Sequence, residues 1–230
     1  VAAALLERYP RMKGSLRQRT KGALLSRREW AGKFVAAVEA RRVESGDVSP
    51  EELQGLARFG DAALDARVRK LWGRVQPPTP EEKLADVRRL TNDLRAFPGD
   101  ASAGKAHFTK LCANCHKLHG EGGNVGPDLT TANRKDRHFL LVSLVDPSAV
   151  VRKEYLAWTV QTTDGRVRTG LVVEEGAGRI TLVDAKAEKF VIPRNQIEKL
   201  EESPTSLMPD NLWKDLKPQE LRDLFAYLQR

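Results

Sequence analysis

Residues 101–129 read ASAGKAHFTKLCANCHKLHGEGGNVGPDL, and the five residues near their centre, Cys112, Ala113, Asn114, Cys115 and His116, decide how the rest is read. Two thiols separated by two residues and followed at once by an imidazole form the attachment signature for c-type haem. In that chemistry the thiols add to the porphyrin's vinyl groups and the histidine ligates iron from one side. At the end of a helix, two intervening residues let both sulfurs reach vinyls on neighbouring pyrroles while the next side chain turns under the metal. The competing chemistries for the same letters are a redox dithiol and half of a zinc site. Zinc ordinarily takes four ligands, and no second CxxC or CxxH is present; a thioredoxin-like dithiol belongs in a βαβ context that the neighbouring pattern lacks. The expectation is one covalently attached haem c, held by Cys112 and Cys115 and ligated by His116.

Outward from the signature, Gly104 and Phe108 precede Cys112 at steps of four, Gly126, Pro127 and Leu129 follow His116, and the chain closes on DLFAYL with Leu224 and Tyr227. Over residues 100–137 and 203–230 this pattern resembles class I cytochrome c. The resemblance implies that Gly104, having no side chain, lets the terminal helices cross closely, with Leu224 and Tyr227 as the crossing partners. It implies that the Pro127 carbonyl accepts the free N–H of the ligating imidazole, a bond that fixes the ring and raises its basicity. It also implies a methionine as sixth ligand. Of Met12 and Met208, the second lies in SLMPDNL beside Pro209, as in the family's methionine-proline loop, and the first lies in the basic helical segment. His107, His119 and His138 are read as surface or partly buried histidines.

The stretch from about His138 to Ser203 departs from a plain cytochrome c. Alternating apolar residues over about 155–201 (Leu156, Trp158 and Val160, then Val167 to Val173, Ile180 to Val183 and Phe190 to Ile192) predict an inserted antiparallel sheet of about five strands, open or closed as a barrel. Turn signals separate them at Asp164 with Gly165, at Gly176 with Gly178, and near Asp184. The order DPSAV, TDGRVRTG, VIPRNQIEKL, SLMP, QELRDLFAYL resembles the haem-binding domain common in Planctomycetes and Verrucomicrobia. That domain often follows helical repeats and a β-propeller resembling a sugar dehydrogenase. The insertion is read as a cap on the haem edge, a docking surface or decoration.

Residues 1–97 predict amphipathic helices. Ser49, Pro50 and Glu52 mark one start as a capping box with proline at the first helical position, and Thr79, Pro80 and Glu82 repeat the signal. Apolar stripes recur in Trp30, Phe34 and Val38, in Leu53 and Leu56, in Leu64, Val68, Leu71 and Trp72, and in Leu84, Val87, Leu90 and Leu94. Such helices suit a HEAT-like array or an irregular bundle. Pro77, Pro78 and Pro80 predict a linker at 73–80, and Pro98 a boundary at 97–100. Pro218 and Glu220 open a last helix with Leu221, Leu224, Phe225 and Leu228 on one face. The fold class is thus mainly α with an inserted small antiparallel β module: a helical domain at 1–97, then a cytochrome c fold at 98–230.

The 230 residues (25.7 kDa) are 40% hydrophobic and 30% charged, which fits neither a disordered polyelectrolyte nor a membrane protein, and no run of 18 apolar residues is present. Of the net +8, residues 1–97 supply 20 basic against 13 acidic residues, and 98–230 supply 19 against 18. The excess has no recognition motif and aromatic content is 6%, so no nucleic-acid partner is expected. Val1 in place of a methionine reads as a fragment or processed form. A methionine and a histidine on iron saturate it, so the expected function is single-electron transfer from a fused or associated dehydrogenase to a respiratory carrier, outside the cytoplasmic membrane, with no enzymatic site of its own. The alternatives are a haem peroxidase or gas-binding sensor with an open sixth position, and an interaction module with structural haem. Lys105, Lys110 and Lys117 are candidates for steering an acidic partner, against the plainer reading of a solvated helix face.

Overall fold

The computed structural model describes residues 1–76 and 79–230; Pro77 and Pro78, in the expected linker, lie outside the described residues. In chain order the elements are α1 (Ala2–Arg8), α2 (Gly14–Leu25), α3 (Arg28–Glu39), α4 (Pro50–Ala57), α5 (Ala62–Trp72), β1 (Arg74–Val75), α6 (Glu81–Ala96) and α7 (Ala101–Leu111). There follow β2 (Lys117–Leu118), β3 (Glu121–Gly122), α8 (Arg137–Val145), β4 (Val150–Val151), β5 (Ala157–Thr162), β6 (Val167–Glu175), β7 (Arg179–Val183), β8 (Lys189–Pro193), β9 (Ile197–Glu202) and α9 (Pro218–Leu228). The fold is mainly helical with a small antiparallel sheet, and it divides into two compact units, residues 1–78 with 149–153, and residues 79–148 with 154–230.

The first unit holds α1 to α5. Its core gathers most of the stripes read from the sequence, Phe34 and Val38 of α3, Leu53 and Leu56 of α4, and Leu64, Val68 and Trp72 of α5, joined by Val35, Tyr9 and Leu24, while Trp30 and Leu71 are only partly buried. The capping box at α4 forms as expected, with Ser49 Oγ accepting from the Glu52 N–H at 3.3 Å and the Glu52 carboxylate accepting from the Ser49 N–H at 2.8 Å. β1 pairs antiparallel with β4, Arg74 opposite Val151, and this ladder is why residues 149–153 belong to the first unit.

The second unit begins with α6, ahead of the boundary expected at 97. The physical reason is packing: Val87, Leu90 and Leu94 of α6 share one apolar cluster with Phe108 of α7, Leu141 of α8 and Leu224 of α9. Arg222 Nη1 of α9 also donates to both carboxylate oxygens of Asp93 of α6, at 2.8 and 2.9 Å. The second capping box does not form. Pro80 stands in the cap position without a side-chain cap bond, Thr79 is buried, and the helix starts at Glu81 with two acids in its first turn, where they complement the helix dipole.

The inserted sheet runs β8-β7-β6-β5-β9, all antiparallel, with β8 and β9 as edges, so it is open and not a closed barrel. One face carries its small core, Val160, Ile180, Leu182 and Ile192. The expected face of Leu156, Trp158 and Val160 is buried fully only at Val160. The difference comes from the opposite face, where Ala157, Leu171 and Val183 form a cross-strand row that is also buried. Both faces are therefore covered at that end of the sheet.

Candidate haem site

The site grows from the crossing of α7 and α9. Asp100 caps α7 by accepting from the Ser102 N–H at 2.8 Å, while its own N–H donates to the buried Asp223 carboxylate at 2.8 Å, which ties the start of α7 to α9. A methyl group on Gly104 would lie 1.9 Å from the Asp223 carbonyl oxygen and 2.8 Å from Tyr227 Cβ, so only glycine lets the helices approach this closely. The crossing partners are thus Asp223 and Tyr227; Leu224, expected in that role, is buried in the cluster beside it. One turn on, the Phe108 ring packs on Tyr227 at 5.5 Å between centroids.

α7 ends at Leu111, and the chain at once turns back on itself. The Cys112 N–H donates to the Phe108 carbonyl, and the Cys112 carbonyl accepts from the N–H groups of both Cys115 (3.1 Å) and His116 (2.8 Å). The return strand of the loop closes the turn, Gly123 N–H to Ala113 carbonyl at 2.7 Å and Gly126 N–H to Cys115 carbonyl at 2.8 Å. Cys112 and Cys115 are free thiols, not a disulfide. Burial pushes the Cys112 thiol up to about 12, with Cys115 adding to the effect, and raises the Cys115 thiol too, helped by the charge of Asp184. Among the described residues no group of three or more His, Cys, Asp or Glu side chains is gathered to hold a bare metal ion.

His116 Nδ1 lies 2.9 Å from the Pro127 carbonyl oxygen. A carbonyl only accepts, so Nδ1 carries the proton and Nε2 keeps its lone pair. Burial lowers the imidazole's proton affinity, opposed by the Pro127 hydrogen bond, and the ring is therefore held neutral at physiological pH. Gly126 backs the ring: a methyl group there would stand 2.6 Å from Cε1. Nε2 makes no hydrogen bond among the described residues.

Met208 is half-buried in the segment between β9 and a 3-10 turn at Leu212–Asp215. Its N–H donates to Ser206 Oγ at 3.1 Å, and the Ser206 N–H donates to Ser148 Oγ at 3.0 Å, so the segment is anchored to the end of the α8 loop. Met12, the other sulfur, packs against the first unit's core. His138 is exposed at the start of α8, His107 is half-buried on α7, and His119 is exposed, with its ring edge-on to Tyr227 at 5.7 Å. Lys105 pairs with Glu121 at 2.9 Å, which removes it from the set of free cations around the thiols.

The Cytochrome c family model matches residues 101–152, which carry α7, both thiols, His116 and Pro127; the match supports a cytochrome c domain there, and that family carries covalently bound haem c. No curated protein matches the chain. The family match ends before β5, so the sheet, Met208 and α9 lie outside it.

The residues fit the group. Two neutral thiols precede an imidazole whose Nε2 makes no hydrogen bond among the described residues, and the missing side chain at Gly126 leaves room for the ring. Two features escaped the sequence reading. Asp223 left no signal beyond its place before Leu224, and the Cys115 thiol lies 3.6 Å from the carbonyl of Ala185, a contact that no local spacing encodes.

Proposed function

We propose that the second unit is a monohaem electron carrier, with haem c bonded through Cys112 and Cys115 and its iron held between His116 Nε2 and the Met208 thioether. The supporting observation is the His116 to Pro127 hydrogen bond, which leaves a neutral imidazole with one unprotonated nitrogen beside two unpaired thiols. The haem, when bound, supplies reversible one-electron chemistry at iron, and a thioether ligand favours the reduced state. The chain does the rest. Cys112 and Cys115 would anchor the group, Pro127 fixes the ring's orientation and raises its basicity, and the anchored Ser206 to Met208 segment would supply the thioether. With His116 and Met208 both holding the iron, no position would remain for a substrate, and the role would be to take an electron from a dehydrogenase, fused or associated, and pass it to a respiratory carrier. Attachment of this kind belongs outside the cytoplasmic membrane, in the periplasm or its equivalent. In this reading the helical first unit is a scaffold resembling HEAT-like repeats, and the sheet is the insertion that sets the domain within the Planctomycete and Verrucomicrobium type.

Two measurements test the proposal. The alkaline pyridine adduct of denatured protein should keep its haem absorbance on the chain. The native protein should show low-spin iron with the far-red methionine band, which Met208→Ala abolishes while lowering the midpoint potential. High-spin iron that binds carbon monoxide readily in the unaltered protein would overturn the axial assignment.

A further inference from the structure

The inserted sheet reaches the thiols. Cys115 Sγ stands 3.6 Å from the carbonyl oxygen of Ala185, in the turn that joins β7 to β8. That turn is tightly built: the Asp184 carboxylate accepts from the N–H groups of Lys186 (2.8 Å) and Glu188 (3.0 Å), the Asp184 N–H donates to the Glu188 carbonyl, and the Ala187 N–H donates to the Asp184 carbonyl. It extends directly from β7, whose Ile180, Leu182 and Val183 are buried, so it is held by the sheet's own core. The strand register puts a second piece of the site at the same end. Val183 sits opposite Leu171, Leu171 opposite Ala157, and the neighbouring Trp158 opposite Glu202, from which the chain runs on to Met208. One end of the sheet thus delivers both the turn at Cys115 and the segment bearing Met208.

We propose that the Asp184–Glu188 turn is a built-in cover over the haem edge carried by Cys115. This rests on the haem reading above. A thioether at Cys115 brings the bonded pyrrole edge to that sulfur, and the Ala185 carbonyl already occupies the space beside it. Ala185 is itself exposed, so the turn stands between that edge and solvent as a surface layer that keeps a partner's redox centre at a distance, and the Asp184 carboxylate places a negative charge beside the sulfur, with the Lys186 ammonium farther along the turn. Electron exchange then uses another edge of the haem.

The test uses the holoprotein, and pyridine-adduct absorbance first establishes that haem is attached; a chain without covalent haem overturns the function and the cover together. In the unaltered protein, a soluble gadolinium chelate should broaden the haem methyl resonance nearest the Cys115 thioether less than one on the opposite edge. Equal or greater broadening, with haem attached, overturns the cover alone. A second arm replaces residues 184–188 by Asn-Gly, which closes β7 onto β8 as a two-residue hairpin with Val183 still opposite Lys189. One-electron reduction by ascorbate should become about fivefold faster in that variant, and about twofold faster in Asp184→Asn at low salt, where only the charge is removed. Rates equal to the parent's in both variants overturn the cover. Asn keeps an oxygen for the Lys186 and Glu188 N–H groups, so this second variant retains the turn.

Discussion

Gly104 shows how much one missing side chain decides. A Cβ there would lie 1.9 Å from a backbone oxygen of α9, and backbone cannot step aside as a flexible side chain does. Gly104→Ala should therefore force α7 and α9 apart and destabilise the second unit by about 3 kcal/mol, at the upper end of the usual cost of overpacking, measured by urea unfolding of the holoprotein. An unchanged midpoint would mean that the crossing has room to spare. His116 is a second single-residue decision. Its Nδ1 proton is assigned by the acceptor it faces, and that assignment leaves Nε2 as the free base. His116 was legible from the CxxCH spacing itself, whereas the role of Gly104 and the Pro127 acceptor were implied by the resemblance to class I cytochrome c, since the Gly104 crossing partners lie more than a hundred positions away. The contact of Cys115 with Ala185 was not legible, since the two are seventy positions apart and neither residue type announces the other.

At the scale of elements, helix starts were readable where the side-chain pattern and the backbone agree. Ser49 and Glu52 close their box; Thr79 and Glu82 carry the same letters, yet Pro80 takes the cap position and the box is absent. The sheet's outer face misled for a related reason: alternation assumes one buried face, and the row Ala157, Leu171, Val183 is buried on the other. In the first unit, Tyr9 links elements. Its ring meets Phe34 of α3 edge-on at 5.6 Å, and the Arg17 guanidinium of α2 lies 4.3 Å above it. Burial, with Asp47 adding to it, pushes the phenol up to about 12 from 10. The unfolded chain then releases this proton at lower pH than the folded one, so stability is unaffected below pH 10 and falls between pH 10 and 12. The loss across that window amounts to roughly 3 kcal/mol at most. Tyr9→Phe should remove that alkaline loss, read as the difference between the two proteins' unfolding midpoints across the window; parallel curves would refute the link.

For the whole molecule, the telling fact is that the two units have separate apolar cores, one around Phe34 and Leu24, the other around Phe108 and Leu224. Phe34 is fully buried, and Phe34→Ala should cost about 3–5 kcal/mol in the first unit. The expected result is loss of helical circular dichroism at lower urea concentration while the haem absorbance of the second unit keeps its midpoint. A joint shift of both signals would show a single cooperative fold. The charge distribution also separates them: the first unit carries 18 basic against 9 acidic residues, and the second, with 21 against 22, is close to neutral.

By itself the amino-acid order determined what is local. The turn of two thiols and an imidazole and the helix stripes lie within a few turns of chain, where spacing translates directly into geometry, and the resemblance to class I cytochrome c supplied Gly104, Phe108 and the Pro127 acceptor. The tertiary structure alone decided which elements share a core and what stands beside the thiols. It moved α6 into the second unit, kept the sheet open, and set Asp184 and Ala185 against Cys115. Those outcomes depend on close packing between segments far apart in the chain, and residue spacing carries no record of such contacts.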